Sequence, residues 1–210
     1  MKNWLDKMER RFGRYAIRNL TMYLLAGYAI GYLLSFTMPQ LLTYFTLEPA
    51  LILKGQVWRL LSWVIIPPND NIIFVIFMML LYYSLGNTLE SYWGAFRYNV
   101  YIFSGILFTV IGAFIVNGLI GGITGFGSLY STYYINISIF LACASVMPDY
   151  QLLLYGIIPI KMKWLAVLDV VLLAVDAVQG GLIIRIVIIA SLLNFIIFFF
   201  CNRNLRGHSP

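Results

Sequence analysis

Along this chain, polar and charged residues gather in short clusters, separated by long apolar stretches. About 20 apolar residues are enough for an α-helix to cross a bilayer. Six stretches of that kind fall at 20–38, 70–89, 98–118, 130–147, 161–178 and 183–202. Asp169 and Asp176 interrupt the fifth. The segment at 40–66 is also apolar but is broken by Pro49, Lys54, Gly55 and Arg59, too often to span. It reads as short helices lying in the interface, with Trp58 and Trp63 at headgroup depth. The pattern predicts an all-α membrane protein of six transmembrane helices with a large interfacial loop between spans one and two.

Composition agrees. Of the 210 residues, 61% are hydrophobic and 10% charged, against about 25% charged in soluble domains. The length suits one membrane bundle, residues 20–202, between a basic amphipathic N-terminus, 1–19, and a short tail, 203–210. The first twenty residues are charged throughout, so no cleavable signal peptide is expected. Charge sets the orientation. Basic residues flank the spans on one side, before the first and around Arg97, Lys161, Lys163, Arg203 and Arg206; only Lys54, Arg59 and Arg185 fall on the other. Positive-inside reasoning then puts both termini in the cytoplasm. The net charge of +6 therefore reports orientation, and nucleic-acid binding is a poor reading.

Candidate chemistry is sparse. The single histidine is His208, and Cys143 and Cys201 lie in apolar runs, so no metal site and no cofactor are expected. Gly27 and Gly31 form a small-xxx-small pair suited to close helix packing. The glycines of GLIGGITGFG (118–127) read as a flexible link and not a phosphate loop, because no Lys-Ser/Thr follows. The stretch STYYINISIF (131–140) is unusually polar for a lipid-facing helix.

Three motifs in order resemble the rhomboid superfamily: GQVWRLLSW (55–63), GNTLESYWGAFRYNVYIFSG (86–105) and PDYQLLLYGIIPIKMKWL (148–165). The resemblance covers about 40 to 200. It assigns a scaffold role to Gly55, Gln56, Trp58, Arg59, Glu90, Trp93, Gly94 and Arg97. Active rhomboids cut peptide bonds with a Ser–His dyad and bind the oxyanion from span two. Carried over by position, the nucleophile falls at Tyr133, the base at Asn194, and the span-two positions at Phe74 and Met78. No Gly-x-Ser-Gly exists between 119 and 147. An amide nitrogen cannot take a proton as an imidazole does, and an unassisted hydroxyl is a poor nucleophile. The resemblance therefore implies a pseudoprotease of the derlin or inactive-rhomboid kind, not an enzyme. Its expected use is binding transmembrane segments of client proteins, in quality control, trafficking or regulation.

Ser131, Tyr133, Asn136 and Asn194 make up the expected polar interior. Tyr133, Asn136 and Asn194 are expected to hydrogen-bond between spans four and six, either as glue or as the lining of a water-filled cavity. Arg59 is expected to brace the interfacial loop through backbone carbonyls or Glu48. Glu90 and Arg97 are expected to make a matching brace across a turn at Trp93–Gly94. Asp169 and Asp176, two helical turns apart, support a rival reading as a small transporter or channel, with Asp176, near the outer end, either in water or paired with Arg185. A protease of non-standard mechanism, acting through Ser131, is the remaining alternative. The compact form suggests a bacterial plasma membrane.

Overall fold

The structure, a computed structural model, describes residues 4–66, 72–130, 132–154 and 158–201. Helix α1 (Trp4–Phe12) precedes the long α2 (Leu20–Thr37). The loop after α2 holds three helices of one turn each: α3 (Pro39–Leu42), α4 (Pro49–Ile52) and α5 (Arg59–Ser62). Two long helices follow, α6 (Ile72–Trp93) and α7 (Ala95–Leu119), then α8 (Tyr133–Val146). A hairpin of β1 (Gln151–Leu154) and β2 (Ile158–Lys161) leads to α9 (Met162–Gln179) and α10 (Leu182–Cys201).

Each of the six expected spans thus has a long helix. Among the described residues, four segments are long and apolar enough to cross a bilayer: Leu20–Thr37, Ala95–Leu119, Gly127–Val146 and Leu182–Phe199. Helix α9 differs in carrying Lys163, Asp169 and Asp176. The hairpin departs from the all-α expectation. It is antiparallel, with Gln151 opposite Lys161 and Leu154 opposite Ile158. Pro148 ends α8, because proline cannot continue a helix, and the chain doubles back before α9 begins.

Helix α8 is the centre of the bundle. Every residue from Ile135 to Ala144 is buried. A helix apolar on all sides has no preferred outer face and belongs in an interior. It packs on α6, α9 and α10 and touches α7, while α7 and α10 form the most extensive helix pair. The core runs through Leu47, Leu85, Leu89, Tyr98, Tyr101 and Cys143. Trp63 belongs to it at 1% exposure. Its ring turns inward because the 3₁₀ turn that follows α5 packs on α2. Trp58 is half-exposed and donates Nε1 to the Tyr44 carbonyl (3.2 Å).

Close helix approach does not fall at Gly27. A methyl group there would meet Ile65 of the loop at an ordinary 3.8 Å. The tight seam lies between α7 and α10, where a Cβ at Gly112 would stand 2.9 Å from the Ala190 Cβ and one at Gly105 3.1 Å from Asn194 Nδ2. These two glycines are seven residues apart and share one helix face. Gly86 serves the same end on α6, where any side chain would strike Thr21 and Tyr98. In lipid, such contact between backbones replaces the hydrophobic drive that water supplies elsewhere.

Two tests follow from this packing. Gly112→Leu inserts four carbons into a filled seam and is expected to cost about 1–3 kcal/mol; unfolding in detergent micelles measures it, with Gly118→Leu, which has open space around it, as the neutral comparison. At the foot of the hairpin, Lys163 (3.0 Å) and Lys161 (3.3 Å) both bond Asp149 and hold its pKa below the usual aspartate value. Their support for the hairpin is therefore present above the ordinary aspartate pKa and is lost as pH falls through the lowered one. An NMR titration of Asp149 should show the lowered midpoint, and Lys163→Gln should move it back up.

Candidate functional site

The polar residues of α8 point into the bundle, and their partners come from three directions. Asn136 (3% exposed) accepts a hydrogen bond at Oδ1 from the Tyr28 hydroxyl of α2 (3.3 Å). The Ser138 hydroxyl bonds the Tyr101 hydroxyl of α7, which also donates to the Ser138 carbonyl (2.8 Å). Thr132 donates to the carbonyl of Ile66 (3.2 Å), just before α6. Asn136 Nδ2 is buried with no partner among the described residues, so the interior keeps an amide donor unspent.

Asn194 turns elsewhere. Its Oδ1 accepts from Ser104 Oγ (2.6 Å) and its Nδ2 donates to the Tyr101 carbonyl (2.9 Å), both on α7. Gly105 lets the amide come this close. Below, Phe198 of α10 stacks 4.7 Å from Trp93 and 5.0 Å from Tyr101, centroid to centroid. The expected set between spans four and six is therefore split in two. Asn136 joins α8 to α2, and Asn194 joins α10 to α7. Tyr133 stands at the start of α8, 39% exposed, edge-on to Tyr134. The rotation of each helix, which apolar periodicity does not encode here, is what separates them.

The four positions where the resemblance places protease chemistry do not form a constellation. Tyr133 faces outward, Asn194 is committed to α7, and Met78 is half-buried on α6. Phe74 lies in α6, and Ser131 and His208 fall outside the described residues. No three of His, Cys, Asp and Glu converge among the described residues. The residues that organise the interior instead include Tyr28, Tyr101, Ser104 and Ser138. Their signal in the sequence was weak: Tyr101 and Ser104 sit three apart, as residues on one helix face do.

Helices α6 and α9 both pack on α8, with little contact between them. Asp169 is half-buried on α9 and Tyr82 on α6. Asp176 is exposed near the end of α9. Arg185 does not pair with it: its Nε donates to the Ala177 carbonyl (2.7 Å), where a cation suits a helix C-terminus.

The scaffold residues act as two clamps. Arg59 (3% exposed) donates to the carbonyls of Thr43 (2.8 Å) and Thr46 (2.9 Å) and to Gln56 Oε1 (2.7 Å), the carbonyl brace expected of it. Burial lowers its pKa, and Glu48 opposes that; a guanidinium stays charged regardless. Gly55, at φ +102°, supplies the turn before this segment. Glu48 does not bond Arg59. It receives the backbone N–H groups of Gly125 (3.0 Å) and Gly127 (2.8 Å). The glycine-rich link is thus pinned, an anion nest filled by the protein's own carboxylate. On the opposite face, Glu90 and Arg97 do not pair. Gly94, at φ +86°, turns the chain between α6 and α7. Arg97 then reaches Asp6 (2.8 Å) and Glu9 (3.1 Å) of α1, while Glu90 accepts from the Asn19 backbone (2.8 Å).

Asn194→Leu removes the amide from the half-buried Ser104 hydroxyl and the Tyr101 carbonyl, and is expected to cost about 1–2 kcal/mol. Tyr133→Phe, at an exposed site, should stay within about 0.5 kcal/mol. Unfolding of both variants in the same detergent checks the contrast.

Compared with known proteins, residues 18–204 match a family described as eukaryotic integral membrane protein (DUF1751). No curated protein and no solved structure matches the chain. The family's eukaryotic description overturns the expected bacterial plasma membrane, while integral membrane placement holds. Compactness misled on this point, because bilayer thickness sets the length of such helices in any organism.

Proposed function

The chain belongs to the eukaryotic integral membrane protein family DUF1751, and from that premise we propose that it is a rhomboid-like pseudoprotease that holds transmembrane segments of client proteins. The observation that supports this reading is that α6 and α9 both pack on α8 with little contact between them, which gives a client helix a mouth beside α8 and the unspent amide of Asn136. Both termini face the cytoplasm in this reading, as the basic flanks favour.

A client helix with a polar residue at bilayer depth carries an unsatisfied group, at a cost of several kcal/mol in lipid. Tyr82, Tyr133 and Asp169 offer it donors and acceptors at the opening, and Asn136 offers one deeper. Individual hydrogen bonds between membrane helices contribute about 0.6–2 kcal/mol, so a few of them hold a client reversibly. No imidazole stands beside these groups to activate a serine, since the chain has no histidine before His208. That supports holding over cutting.

A photo-crosslinking amino acid placed at Met78, one turn from Tyr82 on α6, and at Leu172, one turn from Asp169 on α9, tests this. Both positions should capture transmembrane segments several-fold above Ile111, which faces outward from α7. Tyr82→Phe with Asp169→Asn should reduce the capture. Equal yields at all three positions would sink the reading. Ion flux into liposomes that disappears in Asp169→Asn would replace it with the transporter.

A further inference from the structure

A second feature lies on the basic face, away from the mouth. The segment that joins α1 to α2 runs beside the start of α7 and leaves a groove of about 400 Å³ between them. Phe12, Tyr15, Ile17, Val100, Phe103 and Leu107 line it, and all but Val100 are exposed. That volume is in the range of small-molecule clefts. The floor is fixed: Asn99 Nδ2 donates to the carbonyls of Ile17 (2.8 Å) and Ala95 (2.6 Å), tying the segment to α7. Beyond Leu107 the exposed apolar stripe of α7 continues through Ile111 and Ile115, one residue per turn along the helix.

The rim is cationic. The Arg11 guanidinium carbon lies 5.5 Å from the centre of the Phe12 ring, and that of Arg14 4.7 Å from Tyr15. Arg14 Nη2 also donates to the Tyr15 hydroxyl (2.7 Å). Both rings are part of the groove wall. Neither arginine makes an ion pair among the described residues; the two acids of α1, Asp6 and Glu9, pair with Arg97. Two uncompensated guanidiniums thus sit at the mouth of an apolar slot that continues down a membrane helix.

We propose that this groove binds one anionic phospholipid, with its phosphate and headgroup at Arg11 and Arg14 and an acyl chain along Val100, Phe103 and Leu107. A phosphodiester on a hydrocarbon chain matches both halves of the site. Guanidiniums suit phosphate oxygens through their planar fork of donors. A zwitterionic lipid fits the slot equally but gains less from the rim. This inference does not rest on client binding and stands if that reading fails.

The test is native mass spectrometry of the full-length protein, purified in detergent and offered equal amounts of phosphatidylserine and phosphatidylcholine. One phosphatidylserine should be retained in preference, at about fivefold for each of the two arginines, with the preference weakening as salt rises. Arg11→Gln with Arg14→Gln should bring the ratio near one. Ala16→Trp, which fills the groove, should expel both lipids with the arginines intact. Equal retention of the two lipids by the unaltered protein overturns the proposal. So does a preference that survives the double arginine change, or lipid retention unaltered by Ala16→Trp. The two arginines are surface side chains, so that variant decides the matter even if Ala16→Trp does not fold.

Discussion

Hydrocarbon offers no hydrogen bonds, and a helix buried there with polar side chains must find every partner inside the protein. Helix α8 carries that constraint for the whole molecule. Its residues from Ile135 to Ala144 are buried, Asn136 and Ser138 among them. Tyr28 must therefore come from α2 and Tyr101 from α7. Tyr101 also presents its carbonyl to Asn194, which draws in α10. Three helices are placed around α8 by the needs of a few side chains. The glycines at 105 and 112 make the approach of α7 and α10 possible.

Outside the apolar region, charge does the same work by another route. Each face has a cation that gathers chain segments: Arg59 collects the carbonyls of the loop after α2, and Arg97 collects the acids of α1. Glu48 collects the glycine link after α7. These clamps hold α2, α6 and α7 by their ends. Among the described residues no clamp of this kind ties α9 to α6; the ends of α9 are held by the hairpin and by Arg185 on the α10 side.

Much of this was legible before the fold was known. Each long helix lies within a few residues of its apolar stretch, because length and apolarity fix where a helix can cross. The Arg59 brace was also legible: a buried guanidinium beside a short apolar loop has few acceptors other than backbone carbonyls. Two corrections share a cause. Asn194 was expected to bond α8 and bonds α7. Glu90 was expected to brace Arg97, which bonds α1. Each concerns which way a side chain faces, and an apolar pattern along a membrane helix carries little information on its rotation about its own axis.

The sequence by itself determined that the chain lives in a membrane, where its helices begin and end, and that no imidazole stands at any position where the family resemblance calls for one. Those are properties of composition and order along the chain. Only the tertiary structure decided that Asn136 keeps a free donor among the described residues, that Asn194 is committed to α7, and that α6 and α9 both pack on α8 with little contact between them. Those depend on helix rotation and on the few ångströms of approach that glycine permits. They are settled by packing between segments distant in sequence, which no local pattern records.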